Sequence, residues 1–353
     1  MNSKINQVEK IVDPKKGKYI HGLESIRFFL ALIVILSHFK NPWEISFKTS
    51  PYLIYKLFGS LIPNLFCGIG AVIAFFIVSG FVIHYPNKEE LTDIKKFLIR
   101  RWLRIGLPLI AIILLSSYVL KYDTITTAAI PIWSLYCELI YYTIYPLLYK
   151  IKISWVRKFW ISFCIASIII LFFNKGEVNS FIHQTNLGYL GSYWILGTLF
   201  TAIIGLPCWL LGVLLAEKVD QVNVKINTFK IYSLRLLVLT IGCVANISRF
   251  HLFVSFTISM NLFAFLLYYW LFYEINYYKN NKASPVTEKM GHFSYSLYLC
   301  HGTIYLLLQE YLPLNNYTYL IYITCTIFIS YLFYLIIEKP SHQLARELST
   351  LKV

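Results

Sequence analysis

Three ionisable residues, Glu24, Arg27 and His38, lie in the apolar stretch Tyr19–Lys40, where a plain membrane anchor would carry Leu or Val. Eleven positions separate Arg27 from His38, which is three helical turns plus about 20°, so both side chains project from nearly the same face. Glu24 lies three residues before Arg27 and within pairing reach of it. The rise from Arg27 to His38 is roughly 16 Å, about half the hydrocarbon thickness of a bilayer. Because ionisable groups at such depth normally face a bundle interior or a wet cavity, this helix is predicted to line a site.

A carboxylate and an imidazole are predicted to lie at one level of the bundle. Glu138 lies seven residues past Pro131, about 10 Å below the outer surface. His38 lies at a comparable depth, near the outer end of its own helix. In a low dielectric the two groups could orient and tune each other as an acid–base pair. The alternatives are a structural hydrogen bond between two helices for Glu138 and a satisfied core histidine for His38. The role of His301 is left open between structural and functional, and Glu338 is interpreted as the end of a helix.

Three arginines, Arg100, Arg101 and Arg104, lie in KKFLIRRWLRIGLP. Their spacings of three and four residues place them on one helical face. Guanidinium groups grip phosphates bidentately, so the cluster predicts a phosphate-bearing ligand, and Ser79 in AFFIVSGFVIHYP is predicted to lie at the same ligand site. The alternative is that these arginines only contact anionic lipid headgroups.

The composition requires that membrane helices position these residues. Of the 353 residues, 58% are hydrophobic, 18% aromatic and 14% charged, which is typical of a chain with two membrane–water interfaces and not of a soluble domain. The net charge of +15 does not indicate nucleic-acid binding, because the basic residues lie between apolar runs and form no single patch. The seven Cys are scattered through apolar segments without a CxxC pair, so neither a disulfide framework nor a metal site is predicted.

The predicted fold class is an all-α integral membrane protein, a polytopic bundle of about ten transmembrane helices with both termini cytoplasmic. The regions assigned to the inner side carry 25 of the 32 Lys and Arg residues, and those assigned to the outer side carry six, which gives the orientation. For two apolar stretches, 51–63 and 186–216, the sequence leaves open how they lie relative to the membrane. The predicted segments are 23–40, 64–85, 101–120, 129–149, 157–173, 193–216, 233–250, 252–273, 293–311 and 318–338.

The predicted segments divide the chain into a cytoplasmic N-terminal segment at 1–22, a transmembrane domain at 23–338 and a cytoplasmic C-terminal tail at 339–353. The first residues are polar and rich in Lys with no cleavable signal pattern, so the first apolar helix is expected to stay in the protein. No appended soluble domain is expected.

Five blocks of the sequence match one known family in order. GLESIRFFLALIVILSHF resembles the opening helix of the membrane acyltransferase-3 family. The signature of that helix is an Arg and a His separated by ten residues. The family's later blocks are similar to FFIVSGFVI, FLIRRWLRI, WSLYCELIYYTIYPLL and GHFSYSLYLCHGTI. The resemblance covers roughly residues 20–340.

Members of that family move an acyl group, usually acetyl from acetyl-CoA, to sugars of lipopolysaccharide, capsule, peptidoglycan or other exported glycans. The resemblance implies that Arg27 and His38 carry the core motif, that Arg101 and Arg104 lie near the donor site and that Glu138 matches the carboxylate of the WSL–E block. The family therefore implies that the transmembrane domain at 23–338 is the acyltransferase domain.

The sequence departs from the family pattern at Glu24, where Asp is commoner. The fused extracytoplasmic hydrolase-like domain that some members carry is not expected here, so acceptor specificity is expected to reside in the bundle and its short outer loops.

The expected function is that of a membrane O-acyltransferase of the cytoplasmic (inner) membrane. The expected catalytic residues are His38, Glu138 and Arg27: His38 would take the proton of an acceptor hydroxyl or briefly carry the acyl group, with Glu138 as its orienting partner. The expected partners are acyl-CoA, which binds at Arg101 and Arg104, a glycan or lipid-linked glycan acceptor, and the lipid bilayer. No nucleic acid is expected, and the oligomeric state is left open.

The alternative function is that of a polysaccharide flippase, polymerase or transporter. A polymerase tends to need large outer loops, whereas the predicted outer loops have about 24 residues or fewer. A transporter would more often show internal symmetry or broken helices in matching positions, and the sequence shows neither.

Overall fold

The structure, a computed structural model, describes residues 20–120, 132–183, 192–222, 224–251 and 254–350. These residues are 82% helical and form no strand, which confirms the all-α prediction. Two short 3-10 turns occur at Ile62–Asn64 and Tyr85–Asn87, and a π-helical turn at Tyr334–Glu338 joins the last two helices. The fifteen α-helices of the described residues are α1 Leu23–His38, α2 Trp43–Lys48, α3 Leu53–Leu61, α4 Gly68–His84, α5 Ile94–Leu120, α6 Ile132–Lys150, α7 Trp155–Phe173, α8 Lys175–His183, α9 Thr198–Lys218, α10 Thr228–His251, α11 Phe256–Asn280, α12 Pro285–Gly291, α13 Ser294–Tyr311, α14 Thr318–Phe333 and α15 Lys339–Leu348.

A helix lies at each of the ten predicted segments, namely α1, α4, α5, α6, α7, α9, α10, α11, α13 and α14. Seven helical stretches of the described residues are long and apolar enough to cross a bilayer, and they contain α4, α5, α7, α9, α10, α11 and α14. Of the other three, α1 has only 16 residues, and α6 and α13 carry polar side chains that lower their hydropathy. The chain is therefore a multi-pass membrane protein with seven candidate spans among its described residues.

Some segment ends differ from the predicted ones. Helix α5 begins at Ile94 instead of residue 101, so the three arginines lie inside the helix and not at its start. Residues 53–61, which were ambiguous, form the short and mostly exposed helix α3. Residues 339–348, predicted to be part of a tail, form α15, which packs along α5. Four parts of these predictions lie outside the described residues: residues 129–131 and 252–253 at the starts of two segments, residues 186–191 of the second ambiguous stretch, residues 1–19 of the N-terminal segment and residues 351–353 of the tail.

The centre of the bundle is the close packing of α4 on α9. Thirteen of the 17 residues of α4 are buried, so this helix has neighbours on nearly every side. A Cβ atom on Gly80 would lie 2.0 Å from the carbonyl oxygen of Trp209, and one on Gly212 would lie 1.9 Å from that of Ile77. The two glycines therefore let the backbones touch, as small residues do where membrane helices pack closely.

The start of α1 is fixed by α12. Helix α1 has no cap from its own sequence, since Gly22 precedes it in a left-handed conformation with φ of 84°. Instead, the backbone N–H of Ser25 donates to a carboxylate oxygen of Glu288 at 2.9 Å, and the Ser25 hydroxyl donates to the same oxygen at 2.6 Å. A carboxylate at a helix N-terminus is favourable because it satisfies a free N–H and opposes the helix dipole. Helix α12 thus positions the polar face of α1.

We expect Gly212→Ala to lower the thermal stability of the full-length protein, because the new methyl group would push α4 away from α9. Overpacking of this kind costs about 1–3 kcal/mol. The matched control is Gly106→Ala in α5, where a Cβ would meet nothing within 4 Å and the substitution should be neutral or slightly stabilising. The measurement is the midpoint of thermal unfolding in detergent. Equal midpoints for the two variants would contradict the close contact of α4 and α9.

Candidate active site

Two histidines from different helices lie side by side, and we call them the imidazole pair. His38 ends α1 and His301 lies in α13, and their ring centroids are 5.0 Å apart. The Nδ1 atom of His38 lies 2.8 Å from the carbonyl oxygen of Val34, and that of His301 lies 2.6 Å from the carbonyl oxygen of Tyr298. Because a carbonyl oxygen only accepts, each Nδ1 must carry the proton, which leaves Nε2 of each neutral ring unprotonated. His38 is exposed, whereas His301 is only 1% exposed.

The carboxylate of Glu138 is held by two hydroxyl groups. The Ser79 hydroxyl donates to Oε1 of Glu138 at 2.7 Å, and the Tyr142 hydroxyl donates to the same oxygen. Ser79 also accepts a hydrogen bond from the indole N–H of Trp209 at 3.2 Å. No hydrogen bond joins Glu138 to His38 in the described residues. The structure therefore brings Glu138 together with Ser79, and it orients His38 through a backbone carbonyl.

Arg27 lies among several carboxylates. Its guanidinium forms the predicted ion pair with Glu24 at 3.3 Å, and it also interacts electrostatically with Glu338 and Glu138. Glu338 is 1% exposed and lies in the π-helical turn, where its Oε2 atom accepts hydrogen bonds from the backbone N–H of Ser296 at 3.1 Å and from its hydroxyl at 2.5 Å. These contacts provide the compensation that a buried charge requires.

Two cavities meet at the arginine cluster. A small one of about 100 Å³, the central pocket, is lined by Arg27, Ser79, Glu138 and Tyr142 among others. A large one of about 1240 Å³, the arginine cavity, lies between the end of α4, the start of α5 and α15. Both are lined by Arg101 and Arg104. Arg100 lines the arginine cavity only.

The arginine cavity carries more positive than negative charge. Its basic residues are Lys88, Lys96, Arg100, Arg101, Arg104 and Arg346, and its acidic ones are Glu89, Glu90, Asp93 and Asp220.

The charge of Lys88 is already neutralised, because its ammonium lies 2.6 Å from the carboxylate of Asp220. Burial raises the pKa of the Asp220 carboxyl, but hydrogen bonds from Lys88 and Tyr85 outweigh it and hold the pKa below its ordinary value. In the described part of the chain no carboxylate lies within salt-bridge distance of Arg101 or Arg104. Their guanidinium groups are available to an anion.

One side chain, Tyr298, lies both at the central pocket and near the imidazole pair. Tyr298 lines the pocket, its hydroxyl lies 2.6 Å from that of Ser134, and its ring centroid is 6.0 Å from that of His301. Helix α1 runs beside this path, with Arg27 at the pocket and His38 roughly 16 Å further along the helix. The predicted residues thus lie in three places, which we together call the route: Arg100, Arg101 and Arg104 at the arginine cavity, Arg27, Ser79 and Glu138 at the central pocket, and His38 in the imidazole pair.

Tyr142 and Glu338 were not predicted to belong to a site, and the sequence leaves the role of His301 open between structural and functional. Glu338 is predicted to end a helix, but it lies in the π-helical turn that continues directly into α15. An ionisable residue inside a membrane segment is by itself a candidate functional residue, and this signal marks both His301 and Glu338. Tyr142 lies four residues after Glu138 and so on the same helical face.

The comparison with protein families gives one match. A family model described as an acyltransferase domain matches residues 20–335, which is nearly the whole chain and includes every predicted site residue. No curated protein and no solved structure gives a significant match to the chain.

We expect Ser296→Ala to lower the thermal stability, because the buried carboxylate of Glu338 would lose its hydroxyl donor. A hydrogen bond to a charged group contributes about 1.5–3 kcal/mol. The matched control is Ser330→Ala, since the Ser330 side chain is also buried but has no hydrogen-bond partner in the described residues; this change should leave the stability unchanged or raise it. Unfolding midpoints in detergent measure both. A Ser296→Ala midpoint no lower than that of Ser330→Ala would argue against a stabilising contact.

Proposed function

The chain belongs to the acyltransferase-3 family, and from this membership we propose that it transfers an acetyl group from acetyl-CoA to a sugar hydroxyl of a surface polysaccharide or its lipid-linked precursor. That it is a multi-pass membrane acyltransferase follows from the family and from its seven candidate spans. The observation that carries the finer proposal is the position of Arg101 and Arg104. They border both cavities, and neither is paired with a carboxylate in the described residues.

The donor would bind in the arginine cavity. At about 1240 Å³ it exceeds the roughly 300–1,000 Å³ of ordinary small-ligand sites, so it has room for a nucleotide with a long flexible arm. Phosphates of CoA would be bound by Arg101 and Arg104, with Arg100 nearby, because guanidinium groups form charge-assisted hydrogen bonds to phosphate oxygens. The thioester arm would then extend past Ser79 through the central pocket.

Transfer would take place at the imidazole pair. The unprotonated Nε2 of His38 takes the proton of the sugar hydroxyl as its oxygen attacks the thioester carbonyl carbon. The new C–O ester bond forms, the C–S bond breaks, and the proton passes from His38 to the departing thiolate of CoA. No metal takes part in this scheme.

Arg27 and Glu138 would act on the donor side of the same route. Arg27, which lines the central pocket and is paired with Glu24, would hold polar groups of the donor arm at membrane depth, where charges are weakly screened. Glu138, bonded to Ser79 and Tyr142, would fix the polar wall along which the arm lies. In this scheme the two residues position the donor, and His38 acts on the acceptor.

The test is direct transfer by the purified full-length protein. Acetyl-CoA labelled in the acetyl group is incubated with the protein and with a lipid-linked glycan or polysaccharide acceptor, and both free CoA thiol and acetyl ester are measured. We expect one thiol released for each ester formed. Glycan movement across vesicles without thioester loss would instead support the transporter alternative.

We expect His38→Ala and His38→Gln to lose transfer by roughly 100- to 10,000-fold, because a sugar hydroxyl is a poor nucleophile without a base. Both variants should still bind acetyl-CoA, since His38 lies far from the arginine cavity. The measurement is acetyl ester formed at matched protein levels. The control is His292→Gln, which changes an exposed histidine outside the route and should keep full activity. Near-normal transfer by His38→Gln would leave this mechanism without its base.

His301 is expected to matter through its contact with His38. Its ring packs against that of His38 at 5.0 Å, so His301→Gln should disturb the position of the base and lower transfer by up to about 100-fold. Acetyl-CoA affinity should not change. Activity equal to that of His292→Gln would mean that the contact between the two rings has no functional role.

We also propose the topology of the chain, with ten spans and both termini in the cytoplasm. It is supported by a helix at each predicted segment and by the 25-to-6 distribution of basic residues. In this topology residues 1–22 are the cytoplasmic N-terminal segment, 23–338 the transmembrane domain and 339–353 the cytoplasmic C-terminal part, and the arginine cavity faces the cytoplasm, where acetyl-CoA is made. The membrane would be the cytoplasmic (inner) one.

A reporter that is active only in the cytoplasm should work when fused after Lys225 or at the C-terminus, and not when fused after Gly176. Lys225 lies between α9 and α10, and Gly176 lies in α8, so the single predicted span formed by α9 separates the two fusion sites. Reporter activity in cells measures this, with immunoblots to match expression. Activity at Gly176 without activity at Lys225 would overturn the ten-span topology.

A further inference from the structure

Helix α15 lies beyond the part of the chain that the family model matches, which ends at residue 335. Even so, it forms a wall of the arginine cavity through His342, Ala345 and Arg346. A neighbouring wall, formed by α5, includes Arg100. A segment outside the family match therefore contributes charge to the cavity in which the proposed donor would bind.

The two walls are held together by a short hydrogen-bond relay. The Nε–H of Arg100 donates to the hydroxyl oxygen of Ser349 at 2.7 Å, and the Ser349 hydroxyl donates in turn to the carbonyl oxygen of Arg346 at 2.7 Å. Ser349 is 8% exposed and Ala345 is 2% exposed, so this contact is packed and not loosely solvated. The relay fixes the orientation of the Arg100 guanidinium against α15.

Both arginines keep their terminal nitrogens available. Arg100 uses Nε for Ser349, and Arg346 uses Nε for the carbonyl oxygen of His342 at 3.4 Å. Neither has a carboxylate within salt-bridge distance in the described residues, whereas Lys88 of the same cavity is neutralised by Asp220. Both arginines line the same cavity and are connected through Ser349, so together their guanidinium groups can bind a doubly charged anion, each with two parallel hydrogen bonds.

We propose that Arg346 and Arg100 bind the 3′-phosphate on the ribose of the acyl-CoA donor. The assignment rests on the proposed function and on the order of groups along CoA. The pyrophosphate joins the thioester arm and would lie at Arg101 and Arg104, where the cavity meets the central pocket. The ribose phosphate is further from the arm, and the arginines remaining in the cavity are Arg100 and Arg346.

The competing explanation is that Arg346 only contacts anionic lipid headgroups, since α15 lies at one end of the bundle and Arg346 is exposed. The two explanations predict different ligand specificity for Arg346. A lipid contact is indifferent to which CoA derivative is present, whereas a 3′-phosphate site distinguishes CoA from 3′-dephospho-CoA.

The experiment measures the dissociation constants of acetyl-CoA and of 3′-dephospho-acetyl-CoA for the full-length protein in lipid nanodiscs of one fixed composition. The variants are Arg346→Ala and Arg346→Gln, with Lys339→Ala as a matched control that removes an exposed charge from the same helix but does not line the cavity. We expect the unmodified protein and Lys339→Ala to prefer acetyl-CoA. Because hydrogen bonds to charged groups contribute a factor of roughly 10 to 100 in affinity, both Arg346 variants should weaken acetyl-CoA binding by that factor and leave the dephospho compound nearly unchanged.

The remaining outcomes overturn one claim or another. The 3′-phosphate assignment would be refuted, with the donor site left intact, by any of three results: equal affinity of the unmodified protein for the two compounds, Arg346 variants that keep the full preference for acetyl-CoA, or Arg346 variants that bind both compounds equally more weakly. If the unmodified protein binds neither compound, the donor named in the proposed function is wrong. Size-exclusion profiles of both Arg346 variants show whether they are folded, and Arg346→Gln keeps the side chain's polarity in case Arg346→Ala does not fold.

Discussion

The structure depends on one constraint, which is that an ionised side chain at membrane depth must have a partner or a cavity. Arg27 is surrounded by Glu24, Glu138 and Glu338, and Glu338 is in turn bonded to Ser296. Removing one member would leave another charge buried without compensation, which is far more costly than never placing the group there. Arg101 and Arg104 have no carboxylate within salt-bridge distance in the described residues, and both border cavities. The distribution of unpaired charge therefore marks where a charged ligand can enter.

The same constraint is met in two ways, by side-chain partners at the central pocket and by backbone partners at the imidazole pair. Around Glu138 the partners are side-chain hydroxyls from α4 and α6, which join two helices and complete the wall of the central pocket. At the imidazole pair the partners are backbone carbonyls one turn earlier in each helix. A backbone carbonyl fixes the tautomer of a histidine without using a second titratable group. The donor side is thus held by a network between helices, and each imidazole is oriented by its own helix.

Helix α15 extends this organisation past the family match. It follows directly from the π-helical turn that places Glu338, and π-helical turns occur frequently at functional sites because they re-aim side chains within a helix. The buried face of α15 packs on α5, while its polar face completes the arginine cavity. One irregular turn therefore both buries a carboxylate beside Arg27 and brings a new cation to the cavity.

The sequence by itself determined the class of the protein, a helix at each of the ten segments, the Glu24–Arg27 pair and the shared face of the arginines, because these follow from composition and from the 3.6-residue repeat within one helix. The sequence alone was also sufficient for the match to the acyltransferase family model. Only the tertiary structure placed His301 beside His38, gave Glu138 the partners Ser79 and Tyr142, and made α15 a wall of the cavity. These contacts join residues of different helices, and they depend on how each helix is rotated and which helix is its neighbour. In a membrane bundle the sequence pattern specifies those choices weakly, since a helix such as α4 is apolar on nearly every face and hydrophobic periodicity no longer indicates which face points inward.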